Sequence, residues 1–485
     1  MSSVYNLQDA SPETNALDEA LTSGLEIQRA AYFREPTPSL RARRDDLRAL
    51  KRLVTDNVDA IVEAISSDYG NRSRHETLFA EVFATTDGIN DNIKKLRQWM
   101  KPQHRESDQF LFPGSKNRVI PQPLGVVGLI VPWNFPLFLS FSQLAAAFAA
   151  GNRAMVKMSE NSVQLTRLLK TLSPQYLPED KLCFYEETGS VGIQFSQLPF
   201  DLMIFTGSGQ TGRAVMASAA KNLTPVILEL GGKCPAVIDP KYPLDRAVER
   251  IFFAKQFNAG QICTNVDYVF VHESQKDAFV EKAKAYVAEH CPDPEHSDYT
   301  SIIDERAYNR LMATLDDARN EGATIVNLSP LHEPNASTRK VAMHLVLDTT
   351  DAMRIRHRET FGPFMMVLTY TDPSDVIDYV NAHDRPLAFY PFSHNKKLVA
   401  RYIDRIMSGG VTVNDVLLHV AQHDLPFGGV GPSGMGHYHG YEGFLACSKL
   451  RPVFYQARFS ALRFLAPPYG RFADWVMDFL VRLKR

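Results

Sequence analysis

Between Val119 and Asn152 the chain carries no formal charge, and this run restricts the possible folds more than any other stretch. It is long enough to cross a bilayer. Pro121, Pro123, Pro132 and Pro136 interrupt it, however, and Trp133-Asn134 sits in its middle, so it cannot form one helix. It divides instead into an apolar strand, GVVGLIV, a loop, PWNFP, and an apolar helix, LFLSFSQLAAAFAAG. A strand and a helix that are apolar on every side must both be covered, which is the condition of a parallel sheet with helices packed on its faces.

The neighbouring chain meets that condition. NRAMVKM, LCFYEE, DLMIFTGS and PVILELGG alternate with helix-like stretches around Leu137, Leu165 and Arg213, the pattern of a parallel α/β unit whose ligands bind at the carboxyl ends of its strands. A second alternation begins near Lys233, with PAVIDP, a helix leading to Cys263, VDYVFVHES, a helix at Phe279, TIVNL, FMMVLTY and GGVTVND. Upstream, Ser39 to Tyr69 and Leu78 to Met100 place apolar residues at helical spacing among charges, predicting amphipathic surface helices. Residues 1–16 read as a loosely attached arm, 103–123 as an excursion from the main body, and the Gly-rich strip 427–440 as an exposed irregular loop. The basic, aromatic-bearing tail Phe459 to Arg485 reads as an amphipathic surface helix, with contact to a membrane surface as the alternative.

A chain of 485 residues exceeds the size of one core and predicts two or three structural units. The net charge of -2 leaves no basic footprint for nucleic acid. The five cysteines are odd in number and form no CxxC pair, and the polar start MSSVYNLQDASPETN lacks the features of an export signal. Free thiols in the cytoplasm are therefore expected.

Four stretches carry candidate chemistry. In FNAGQICTN, Cys263 sits among small and amide residues, and Gly260 permits close backbone approach. This suits a nucleophile beside amide donors, and it also suits a buried structural thiol. In VILELGGK, Glu229 ends an apolar strand just before two glycines, where a carboxylate could activate water; a salt-bridged Glu is the other reading. Asn134 in PWNFP is a polar group that burial would leave in need of a partner, a candidate oxyanion donor or a loop cap. TGSGQTG follows a strand and matches G-x-G-x-x-G at Gly207, Gly209 and Gly212, so it forms either a phosphate-binding turn or an ordinary glycine turn. Lys157 and Glu160 in MVKMSE could hold sugar hydroxyls or form a surface pair, and Glu359 in ETFGP lies two residues before Phe361.

Taken together and in order, PWNFP, VKMSE, FTGSGQTG, LELGGK, FNAGQIC, ETFGPF and PFGGVGPSG resemble the NAD(P)-dependent aldehyde dehydrogenase superfamily over roughly Arg41 to Phe454. The ending GMGHYHGYEGF looks most like the class 3-like branch that includes bacterial coniferyl aldehyde dehydrogenases. The resemblance implies a Rossmann-like parallel-sheet cofactor domain (1–104 and 124–232), a second α/β catalytic domain (233–435), a small β oligomerisation arm (105–123 and 436–456) and a tail (457–485). It implies Cys263 as nucleophile, Glu229 as general base and Asn134 as oxyanion donor. Cofactor contacts would come from Trp133, from Lys157 and Glu160 at the adenine ribose, and from Gly207, Ser208 and Gly212 near the pyrophosphate. Glu359 and Phe361 would lie at the nicotinamide ribose and ring.

Two residues depart from the family pattern: Met158 replaces a common proline, and Gly209 makes the turn more like an ordinary dinucleotide fingerprint. His437 and His439 lack further ligands at metal spacing, so no metal is expected. The implied reaction is oxidation of an apolar, aromatic-type aldehyde to its acid through a Cys263 thioester, with NAD or NADP as cofactor, in a homodimer without membrane insertion. Competing readings are a CoA-acylating or semialdehyde dehydrogenase, against which Glu229 argues, and a non-catalytic crystallin-like protein on the same fold.

Overall fold

A computed structural model describes residues 12–458, 460, 462 and 466–484. In chain order the strands are β1 (Gln103–Arg105), β2 (Lys116–Pro123), β3 (Val126–Ile130), β4 (Arg153–Lys157), β5 (Leu182–Tyr185), β6 (Leu202–Thr206), β7 (Val226–Glu229) and β8 (Cys234–Ile238). They continue with β9 (Val266–His272), β10 (Thr324–Asn327), β11 (His344–Leu347), β12 (Phe364–Tyr370), β13 (Ala388–Phe392), β14 (Gly410–Val411), β15 (Gly434–Met435) and β16 (Ser448–Tyr455).

The first sheet has the order β15-β7-β6-β3-β4-β5. Its strands β3 to β7 are parallel, and β15 runs antiparallel along β7. Every residue of β3 and β6 is buried, as expected for strands covered on both faces. The chain order reverses between β3 and β6, so the loops leaving these two strands open a crevice at the carboxyl edge. One loop is PWNF and the other is GSGQ.

The charge-free run folds as its prolines require. After β3 comes a loop and then the helix Pro136–Ala150, with Pro at its first position and Gly151 at φ 94° ending it. The second sheet, β10-β11-β12-β9-β8-β13-β14, is parallel except for β10. The third sheet, β1-β2-β16, is antiparallel and joins the 103–123 excursion to the chain beyond the Gly-rich strip.

Two expectations need correction. Residues 12–16 of the expected loose arm belong to the helix Pro12–Arg34, whose Leu21 and Leu25 pack into the first sheet's core; residues 1–11 lie outside the described residues. The strip 427–440 is not an exposed loop throughout. Phe427, Ser433, Tyr438 and His439 are buried, and β15 within it extends the first sheet. Its glycines permit this, since a Cβ at Gly429 would meet the Ser433 carbonyl oxygen at 2.0 Å. The tail forms the helix Arg471–Leu483, with Phe472, Trp475, Phe479 and Leu483 exposed.

Candidate active site

Cys263 sits in the turn between the helix Leu244–Gln256 and β9, after three consecutive residues in the left-handed region. Asn258, Ala259 and Gly260 have φ of 52°, 49° and 75°. Such backbone persists only where its surroundings hold it. A Cβ at Gly260 would stand 2.2 Å from the Gly362 carbonyl oxygen, so the segment lies directly against the loop after Glu359.

Polar side chains lock the turn. Gln261 donates to the carbonyls of Asn258 at 3.0 Å and Ser301 at 3.1 Å, and accepts from the Ile303 amide at 3.0 Å. Asn258 donates to Tyr69 Oη at 3.2 Å, while Tyr69 donates to the Asn134 carbonyl at 3.0 Å. Through this web the PWNF loop of the first sheet is tied to the cysteine turn of the second. The Asn134 amide spends one N–H on the Gln261 carbonyl at 3.3 Å, and its Nδ2 has a second.

Glu229 ends β7 and is 2 % exposed, and neither carboxylate oxygen has a hydrogen-bond partner among the described residues. Burial alone raises its pKa well above the ordinary carboxylate value. The Cys263 thiol is likewise pushed up, to about 12, by burial first and then by the nearby carboxylates of Glu359 and Glu229, against the pull of the Thr264 and Cys263 amides. Burial thus disfavours the charged form of both groups. A buried, unpartnered carboxyl beside a thiol is an expensive arrangement with no structural return, the pattern expected of groups kept for chemistry.

Glu359 accepts from the Gly232 amide at 2.7 Å, and a Cβ on Gly231 would meet its Oε2 at 2.1 Å. Burial, followed by the charge of Asp267, raises Glu359 to about 7. Its loop is fixed from behind by Asp267, which accepts from the Thr360 amide at 2.9 Å and is ion-paired with Lys233. Phe361 packs edge-on against Trp133 with ring centroids 5.5 Å apart.

The remaining predicted residues lie along the carboxyl edge of the first sheet. Gly207 follows β6, and Ser208 caps the helix Gly209–Ala220 by accepting from the Thr211 amide at 3.2 Å. Gly212 faces inward, where a Cβ would meet Leu230 Cδ2 at 2.6 Å. Lys157 ends β4 but does not pair with Glu160, which is exposed. Its ammonium lies 2.6 Å from Glu187, a residue that sequence reasoning missed. Tyr69 and Gln261 were missed as well, and for Tyr69 nothing local to its amphipathic helix signals a role.

Cys263 opens onto a cavity of about 670 Å³ whose mostly apolar wall includes the rings of Phe79, Phe135, Phe138, Phe257 and Phe427. Site and crevice thus combine a thiol under an apolar cavity with a glycine-lined, helix-capped edge of the first sheet.

A model of the aldehyde dehydrogenase family matches residues 14–453. The chain belongs to that family. Among curated relatives of this dehydrogenase, a probable coniferyl aldehyde dehydrogenase of Pseudomonas aeruginosa is 46 % identical over 466 residues, 96 % of each chain. A coniferyl aldehyde dehydrogenase of Pseudomonas sp. is 39 % identical over 467 residues, again 96 % of each. Among solved structures, the substrate-bound state of Staphylococcus aureus AldH superposes with a TM-score of 0.88 at 30 % identity, covering 95 % of this chain and 99 % of that one. The protein is an NAD(P)-dependent aldehyde dehydrogenase, and the Rossmann-like and second α/β units expected from its sequence are those of the family fold.

Proposed function

We propose that this enzyme oxidises aromatic, coniferyl-type aldehydes to their acids, with Cys263 as nucleophile, Glu229 as general base and the Asn134 amide with the Cys263 backbone N–H as oxyanion donors. The observation that carries the reading is Cys263 opening onto the mostly apolar cavity with the unpartnered Glu229 carboxyl close by. The names of the Pseudomonas relatives support the substrate class.

The chain's part in the reaction follows from the geometry. The Cys263 sulfur adds to the aldehyde carbon as its proton passes to water in the cavity, and the developing oxyanion takes hydrogen bonds from Asn134 and the Cys263 amide. A nicotinamide held by Trp133, Glu359 and Phe361 would supply the hydride acceptor needed for oxidation of the adduct to a thioester. Glu229, once ionised, is a stronger base than a carboxylate in water because its pKa is raised, and it takes a proton from the water that attacks the thioester. The acid leaves and the thiol is restored.

The residues fit a dinucleotide. Lys157 with Glu160 would hold the adenine ribose, Gly207, Ser208 and Gly212 would lie at the pyrophosphate with the helix N-terminus toward it, and Trp133, Glu359 and Phe361 would place the nicotinamide ribose and ring. NAD is the favoured cofactor, with NADP the lesser one. The chain divides into a cofactor domain (1–104 and 124–232), a catalytic domain (233–435), an arm (105–123 and 436–456) that makes a homodimer, and a tail (457–485). Five free cysteines support a cytoplasmic location, and no helix among the described residues is long and apolar enough to cross a membrane.

The test is the appearance of reduced cofactor on adding cinnamaldehyde or coniferaldehyde with NAD. Turnover is expected in the wild type and none in Cys263→Ala. Turnover by the Ala variant would refute the assignment.

A further inference from the structure

One polar side chain in the mostly apolar cavity has no part in the chemistry above. His439 is 8 % exposed and lines the cavity together with Cys263, and neither ring nitrogen has a hydrogen-bond partner among the described residues. Leaving a buried polar group unbonded costs roughly 1–3 kcal/mol. Its backbone is also strained, at φ 97° and ψ 140°, outside the regions that side chains ordinarily adopt.

The surroundings hold the ring still without satisfying it. Phe427 stacks on it at 5.4 Å, and Phe138 and Tyr438 meet it edge-on at 6.0 and 4.7 Å. Burial, with smaller effects from His423 and His419, pushes its pKa down to about 3. The imidazole is therefore neutral, with one N–H to donate and one bare nitrogen to accept. Several other polar groups of the cavity are already occupied, although Thr85 Oγ1 and Tyr438 Oη are unbonded like the imidazole. His423 is bonded to Asp87 at 2.8 Å, Ser142 donates to the Phe138 carbonyl at 2.6 Å, and Arg250 donates to Tyr242 Oη at 3.2 Å.

We propose that His439 hydrogen-bonds a hydroxyl carried by the aldehyde substrate, so that the cavity selects hydroxylated aromatic aldehydes over the same skeleton without the hydroxyl. This rests on the dehydrogenase reading of the site and adds the group that sets its selectivity. Both nitrogens are shielded from water, and a hydroxyl, which donates and accepts, can satisfy either one that it reaches. A substrate without one fills the cavity and leaves both nitrogens dry. Sites built to bond a substrate hydroxyl reject the analogue lacking it for this reason.

The experiment compares kcat/KM for cinnamaldehyde and its ortho-, meta- and para-hydroxy derivatives, in the wild type and in His439→Phe and His439→Asn. Phe keeps an aromatic ring for the stack, and Asn tolerates positive φ. The wild type is expected to favour at least one hydroxy derivative by about 10- to 100-fold, and both variants should bring that ratio close to one. Equal kcat/KM for all four in the wild type overturns the proposal, and this measurement needs no variant to fold. Retention of the preference in both variants overturns it as well. No turnover of these four aldehydes, with benzaldehyde and hexanal also inert, would instead refute the dehydrogenase reading beneath it.

Discussion

The Lys157 ammonium lies 2.6 Å from the Glu187 carboxylate, which also accepts from the amides of Gly189 and Gly192 at 2.9 Å each. Burial works to raise the Glu187 pKa, but Lys157 and these amides outweigh it and hold the pKa below the usual value. The proposed ribose site thus holds one cation and two carboxylates, Glu187 and Glu160. A carboxylate there favours a 2′-hydroxyl and repels a 2′-phosphate. Glu187→Gln should therefore shift the ratio of kcat/KM for NAD over NADP toward NADP by about 10-fold, a change of ~1.4 kcal/mol. An unchanged ratio would show that Glu187 only braces the loop.

Glu229→Gln should separate the two halves of the reaction. The amide is nearly isosteric but takes no proton from water, so a stoichiometric burst of reduced cofactor should be followed by a steady state slower by about 10²- to 10⁴-fold. Mass spectrometry of the quenched sample should find the acyl group on Cys263. Loss of the burst would mean that Glu229 is needed earlier, to activate the thiol.

Glu359 should leave a signature in stability against pH. Its pKa is raised in the folded protein, from 4.5 to about 7, so its contribution is complete below 4.5 and is lost as pH rises through about 7. Without cofactor, Glu359→Gln should gain on the wild type by ~3 kcal/mol across that window, read as a Tm difference that widens with pH. A constant difference would mean that Glu359 ionises normally.

Gly231→Ala should displace Glu359, because the new methyl would stand 2.1 Å from its carboxylate. The expected result is a KM for cofactor raised about 10-fold or more in a protein that melts close to the wild type. An unaltered KM would remove Glu359 from the cofactor site.

The third sheet should govern assembly. β16 pairs with β2 on one side only among the described strands, and Leu450, Phe454 and Tyr455 on it are exposed. An unpaired edge with apolar side chains calls for a partner. Light scattering at micromolar protein should give a dimer, and the pair Leu450→Asp and Phe454→Asp should give monomers. A monomeric wild type would refute the proposed arm.

Much of this was legible in the sequence because burial and glycine leave local marks. The charge-free run and its prolines predicted β3, its loop and the buried helix, and Gly260 marked a close approach that proves to be the Gly362 carbonyl. Cys263 and Glu229 stood out as polar groups in small or apolar settings. Glu187 and Tyr69 did not, since their partners, Lys157 and Asn134, are 30 and 65 residues away in the chain and neither has an unusual neighbourhood. The Gly-rich strip misled because glycine signals both exposed turns and tight backbone packing. Only its pairing with β7 distinguishes them.

That pairing also sets a timetable for synthesis. Gly434 lies opposite Glu229, so the strand that closes the edge of the first sheet is translated only after the whole second sheet. A nascent chain on the ribosome holds β7 with a bare edge and Glu229 at its end until residues 434–435 emerge. The edge of the first sheet therefore closes only near the end of translation, and a chain terminated before Gly434 would leave that edge of β7 unpaired.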